Sequence, residues 1–221
     1  MSIDFLGIGA QKAGTTWVHH HLSLHPQIRF PGGKEIHYWD KQFPHRYDDY
    51  LSLFPDHPPI LKFGEITPAY AILPAEIVTN IHNTAPLAKV FFITRNPIER
   101  AWSSALMALE RSEMRVEEAS DQWFIDHFHS QGSRLRGNYQ RTIDLWTRHY
   151  PAEQFLLLSF DEMVGSPELF LKKLCAFLDV DTDFFEQHPQ RIERNKIFAN
   201  TAYPLRPTLR PVLETLYPHT R

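Results

Sequence analysis

The first seventeen residues constrain the fold more than any other stretch of this chain. Ile3-Asp4-Phe5-Leu6-Gly7-Ile8 reads as an apolar strand, Gly9-Ala10-Gln11-Lys12-Ala13-Gly14-Thr15-Thr16 as a loop, and Trp17 opens a helical segment. A strand that runs through a Gly/Lys/Thr loop into a helix aims several backbone N–H groups at one point, where the helix dipole favours negative charge. Lys12 and the hydroxyls of Thr15 and Thr16 add donors. The expected product is a phosphate cradle at the start of the chain.

The cradle departs from the nucleoside-triphosphate loop G-x-x-x-x-G-K-[ST]. Gly9 and Gly14 have its spacing, but Thr15 stands where lysine should follow, and the lysine lies inside the loop at position 12. The next strongly apolar strand, Lys89 to Thr94, runs into Arg95. A Mg2+-dependent kinase or ATPase would need an acid to hold its metal. The loop therefore reads as a phosphate site that requires no metal. The dinucleotide fingerprint fails as well, because Lys12 stands where its third glycine would be.

Gln11-Lys12-Ala13-Gly14-Thr15-Thr16-Trp17 resembles the 5′-phosphosulfate loop of sulfotransferases that use 3′-phosphoadenosine 5′-phosphosulfate (PAPS). Arg95-Asn96-Pro97-Ile98-Glu99-Arg100-Ala101-Trp102-Ser103 resembles the same family's 3′-phosphate motif, an Arg-x-Pro opening followed by a serine. The resemblance implies that Gln11, Lys12, Ala13, Gly14, Thr15, Thr16, Arg95 and Ser103 hold the donor, with 3′,5′-adenosine diphosphate (PAP) as product. A weaker likeness runs from about residue 3 to residue 180. The second motif also makes sense by itself. Pro97 suits the first helical position and Asn96 its N-cap, and an arginine at a strand end can fork two hydrogen bonds onto a phosphate. Ser103 then lies less than two helical turns away, while Arg100 reads as a structural residue.

Gly32-Gly33-Lys34-Glu35-Ile36-His37-Tyr38-Trp39 resembles the Lys-Glu-x-His-aromatic segment of the family's carbohydrate-type branch, which implies Glu35 as general base. His37 is the alternative, since imidazole titrates in the range that base catalysis needs. Lys12 would stabilise charge on the leaving phosphate. Gly64-Glu65-Ile66-Thr67-Pro68-Ala69-Tyr70 resembles the family's Glu-Lys-Thr-Pro-x-Tyr, with Ile66 in place of the lysine. That replacement makes a polyanionic sugar acceptor less expected and leaves Glu65 an acid without a role. The family's late basic loop over the adenosine is not evident, although Arg194 and Lys196 are candidates for it.

Strand and helix patterns alternate along the chain. Helices are expected over about 16–24, 46–54, 74–83, 97–112, 119–131, 137–149, 167–178 and 208–217. Strands are expected near the N-terminus, at 62–66, at 89–94, and at 155–160, an apolar run that reads as buried on both faces. This order implies an α/β fold, a P-loop-like parallel sheet with helices on both faces and ligands at the strands' carboxyl ends. The expected organisation is one sulfotransferase domain over 1–221, with a C-terminal end consistent with truncation. A net charge of −3 argues against a nucleic-acid surface. A lone Cys175 and no apolar span favour a cytoplasmic chain without a membrane segment. The acceptor is expected to be a small molecule, lipid or carbohydrate. His21 and His25 have metal-like spacing but read as a helix surface. A P-loop kinase and a non-catalytic PAPS-binding module are the alternatives.

Overall fold

The structure, a computed structural model, describes residues 2–42, 46–194 and 203–218. Its centre is a sheet of five strands: β1 (Phe5–Gly9), β2 (Ile28–Arg29), β3 (Lys62–Ile66), β4 (Lys89–Thr94) and β5 (Phe155–Ser159). All pairings are parallel, and the order is β2-β3-β1-β4-β5. Helices α1 (Thr15–Leu24), α2 (Tyr38–Lys41), α3 (Tyr47–Leu51), α4 (Ala75–Thr84), α5 (Pro97–Arg111) and α6 (Asp121–His129) follow in chain order. After them come α7 (Gln131–Gly137), α8 (Tyr139–Trp146), α9 (Phe160–Gly165), α10 (Pro167–Phe177), α11 (Phe184–Gln187) and α12 (Arg210–Leu216). A 3-10 turn, Pro68–Ile72, follows β3. The expected α/β architecture, a parallel sheet flanked by helices, is the observed one.

The central strands are apolar because they are covered on both faces. Phe5, Leu6 and Ile8 of β1 and Phe91, Phe92 and Ile93 of β4 are fully buried, each contributing roughly 1.5–3 kcal/mol as an upper estimate. β5 differs from expectation. It is the edge strand, and its Leu157 is 44% exposed, so its apolar run is covered only in part.

Helix boundaries follow the caps. α6 and α8 match the segments expected at 119–131 and 137–149, and an unexpected helix, α7, lies between them, bounded by Ser130 and Asn138. The Ser130 hydroxyl accepts from Ser133 N at 3.2 Å, and the Asn138 side-chain Oδ1 accepts from Arg141 N at 3.1 Å. Each starts a new helix by satisfying amides that have no intrahelical partner. α9 was not anticipated, yet Ser159 and Glu162 form a capping box that marks its start.

A second apolar cluster lies between α5, α6 and α12. It packs Ile98, Trp102, Leu106 and Leu109 against Phe124 and Phe128 and against Leu209 and Leu213. Arg206 fastens the segment before α12 to the N-terminal end of α6. Its Nη1 lies 2.7 Å from Asp121 and its Nη2 donates to Val116 O at 2.6 Å. The result is a C-terminal segment seated beside the N-terminal half of α5.

Candidate functional site

Four of the sequence's motifs leave the carboxyl ends of four strands. The Lys12 loop leaves β1, the Glu35 segment follows β2, Thr67 and Tyr70 follow β3, and Arg95 follows β4. The sheet order places the Lys12 loop between the Arg95 side and the Glu35 side. Adjacent strands are about 4.8 Å apart, so β2 lies roughly 10 Å from β1 across the sheet.

The loop after β1 turns on two left-handed residues, Lys12 at φ 70° and Gly14 at φ 83°. Glycine adopts this region without strain, which a side chain at position 14 would not. An added Cβ at Gly14 would also collide with the Met163 Cε, and Met163 is fully buried. Gly14→Ala is therefore expected to cost about 2–4 kcal/mol, from left-handed strain plus overpacking. Thermal unfolding should show a Tm lower by roughly 5–15 °C.

Arg95 joins the two anion motifs. Its Nη1 donates to the Lys12 carbonyl at 3.0 Å, and its guanidinium lies 4.3 Å over the Phe160 ring. Glu99 holds its outer edge, with Oε2 3.2 Å from Nη2. Asn96 caps α5 as expected, accepting from Ile98 N at 3.0 Å and Glu99 N at 3.2 Å. Arg95 and Ser103 open onto one cavity of about 720 Å³. In the loop itself, Ala13 and Thr15 are buried, Gln11 and Lys12 are half-buried and Thr16 is exposed. Burial holds the Lys12 ammonium below the ordinary lysine range, and Arg95 and Arg111 push the same way, against Glu110.

The other walls of that cavity come from Trp102, within the second motif, and from C-terminal residues the sequence did not point to. Trp102, Tyr203, Arg210, Glu214 and Tyr217 line it, and the Trp102 indole donates to Tyr203 O at 2.8 Å. A tryptophan one residue before the motif serine, with an aromatic and basic segment near the C-terminus, was the available signal. Of the two candidates for the late basic loop, Arg194 is paired with Glu168 at the start of α10, while Lys196 lies outside the described residues. Arg100 is fully buried and structural, donating to Ser133 O at 3.1 Å. Tyr139 packs on Phe92 with ring centroids 5.6 Å apart, and burial pushes its phenol up to about 12.

The segment after β2 forms a chain of side-chain contacts, Lys34–Glu35–His37–Asp40. Lys34 Nζ lies 2.7 Å from Glu35 Oε1, and His37 Nε2 lies 3.0 Å from Glu35 Oε2. His37 Nδ1 in turn lies 2.8 Å from Asp40 Oδ2. Sequence reasoning had not singled out Asp40, although its i,i+3 relation to His37 marks it. Ile66 is fully buried in register with Gly7, so a core residue occupies the place of the resembled lysine.

His21 and His25 are not a helix surface. Both are buried, and all four ring nitrogens face backbone groups. These are Trp17 O at 2.8 Å and Glu193 N at 3.0 Å for His21, and Asp181 O at 3.0 Å and Gln27 N at 3.2 Å for His25. They tie α1 to distant chain. Among the described residues, no group of three or more His, Cys, Asp or Glu is placed to hold a metal ion, and no helix is long and apolar enough to cross a membrane.

The sequence pattern of the sulfotransferase domain matches residues 2–202. The chain belongs to the sulfotransferase domain family. Among its relatives, human heparan sulfate glucosamine 3-O-sulfotransferase 6 is 27% identical over 184 residues, covering 82% of this chain and 53% of that protein. The bifunctional heparan sulfate N-deacetylase/N-sulfotransferase 1 of Caenorhabditis briggsae is 26% identical, covering 84% of this chain and 23% of its own length. This sulfotransferase-family chain thus spans about half the length of the first and a quarter of the second. Its fold is that of a sulfotransferase from Alicyclobacillus acidocaldarius (TM-score 0.72, 24% identity, 99% of this chain and 92% of that one). It is also that of mouse sulfotransferase SULT7A1 complexed with PAP (TM-score 0.65, 16% identity, 100% and 85%).

Proposed function

We propose that this chain transfers a sulfuryl group from PAPS to a hydroxyl or amine of a small-molecule, lipid or carbohydrate acceptor. The observation that carries this reading is the Arg95–Lys12 bond, which fuses two anion-binding loops on adjacent strands into one site. The neighbouring cavity is of a size suited to a nucleotide. It offers aromatic faces in Trp102 and Tyr203 and cations in Arg95 and Arg210, a set that fits a phosphorylated purine nucleoside. The donor supplies an activated sulfuryl group when bound.

The chain's own residues fill the remaining tasks. Arg95 and Ser103 take the 3′-phosphate. The Lys12 side chain and the loop amides face the leaving phosphate, as preorganised donors aimed at developing charge. Glu35 rather than His37 takes the acceptor's proton. Both ring nitrogens of His37 lie within 3.0 Å of carboxylate oxygens, of Glu35 on one side and Asp40 on the other, which crowds the ring away from an acceptor. Glu35 spends one contact per oxygen and keeps lone pairs open. Heparan sulfate, named for the relatives, is a carbohydrate candidate that the buried Ile66 in place of the resembled lysine weighs against.

Calorimetric titration tests the donor assignment. PAP is expected to bind at micromolar Kd without metal and about a hundredfold more tightly than 5′-AMP, the worth of one charge-assisted phosphate contact. A preference for Mg-ATP would overturn the reading in favour of a kinase. Transfer of radiolabelled sulfate to a panel of phenols, alcohols and glucosaminides then separates a catalyst from a donor-binding module.

A further inference from the structure

Glu65 has no part in the chemistry above, yet it occupies one of the costliest positions in the molecule. It lies in β3 in register with Leu6 and is fully buried. A carboxyl group at such a place needs partners, and three hydroxyls provide them. Tyr50 and Tyr70 donate to Oε1 at 2.5 and 3.1 Å, and Thr67 donates to Oε2 at 2.7 Å.

Tyr70 passes this fixation on. With its proton committed to Glu65, its oxygen accepts from the backbone N–H of Tyr38 at 3.1 Å and of Trp39 at 3.4 Å. These are first-turn amides of α2, which have no partner within the helix. His37 occupies the N-cap position but makes no side-chain cap bond, and it sits at φ 57°, a strained region for any residue but glycine. Such a conformation persists only where the surroundings impose it. The phenol of Tyr70 does so, and the His37 ring is thereby set between Glu35 and Asp40.

We propose that Glu65 is a positioning residue for the base segment, acting through Tyr70 on the amides of Tyr38 and Trp39 and so on the His37–Glu35 contact. This rests on the reading of Glu35 as the base. The groups facing Glu65 are Tyr50 from α3, Thr67 and Tyr70 from the turn after β3, and the Asp40 carboxylate from α2. Burial pushes the carboxyl up to about 7, the three hydroxyls pull against it, and Asp40 adds to the rise. Above that pH all three hydroxyl protons are needed. Below it the carboxyl becomes a donor on one side, and the network must turn. The raised value also fixes the sign of the linkage: the stability it contributes is fully present below pH 4.5 and is lost as pH rises through about 7.

The test compares wild type with Glu65→Gln and Tyr70→Phe, each also titrated with PAP. In wild type the amide resonances of Tyr38 and Trp39 should shift with an inflection near pH 7, which Glu65→Gln removes. Hydrogen exchange at fixed pH 8 should accelerate roughly threefold to tenfold at Tyr38 and Trp39 in Tyr70→Phe, the worth of one lost hydrogen bond. PAP affinity should stay at the wild-type value in both variants. Amide resonances without that inflection and unchanged exchange, with PAP still bound, would overturn the proposal. If Glu65→Gln does not fold, Tyr70→Phe keeps the ring in place and decides alone. Wild type that fails to bind PAP while showing these couplings would sink the donor reading and leave the anchoring intact.

Discussion

Glu35→Gln is expected to lower kcat by roughly 10²- to 10⁴-fold, the range for loss of a positioned general base. Glutamine keeps the shape of the side chain and one acceptor oxygen, through which it can still take the Lys34 contact. What it loses is the capacity to take a proton. The effect should therefore fall on kcat, with PAP affinity unchanged by calorimetry. Initial rates with the acceptor that reacts in the panel check it. A variant within threefold of wild type would remove Glu35 from the mechanism. Loss of PAP binding would instead mean that the Lys34–Glu35–His37–Asp40 chain shapes the donor site.

Arg95→Ala is the second large effect. Removing one partner of a partly buried charge-assisted contact costs about 2–5 kcal/mol, so PAP affinity should fall by roughly thirtyfold to several thousandfold. Affinity for 5′-AMP, which lacks the 3′-phosphate, should fall far less, and that difference is the specific signature. A uniform loss for both ligands would have another origin. Arg95 also bonds the Lys12 carbonyl and stacks on Phe160, so its removal could loosen the loop that both ligands share. Arg95→Lys separates the two effects, because it keeps the charge but not the fork.

Much of this site was legible before any coordinates, and for physical reasons. The strand-loop-helix at residues 3–17 and the Arg-Asn-Pro start at Arg95 are local devices, written in Gly, Pro and capping residues whose conformations hardly depend on the rest of the chain. Asn96 caps α5 as its position required. What was misread depended on packing between distant segments. The apolar run of β5 looked doubly buried because a sequence does not state which strand ends a sheet. His21 and His25 looked exposed because their partners, near residues 181 and 193, are remote. The missed helix α7, between Ser130 and Asn138, could have been read from their capping chemistry. Tyr203 and Arg210 could not have been placed beside Ser103 by any short-range rule, since only the docking of α12 on α5 brings them there.

The strand order also partitions the molecule by task. Everything proposed for the 3′-phosphate lies on the β4 side, with α12 as its far wall. Everything proposed for the acceptor's proton lies on the β2 and β3 side, and the Lys12 loop is the hinge line between them. On that side, residues apart from the Lys34–Asp40 chain and Tyr50 can change with the acceptor while the nucleotide grip stays untouched. A single scaffold arranged in this way can be diversified by rewriting one margin of a sheet.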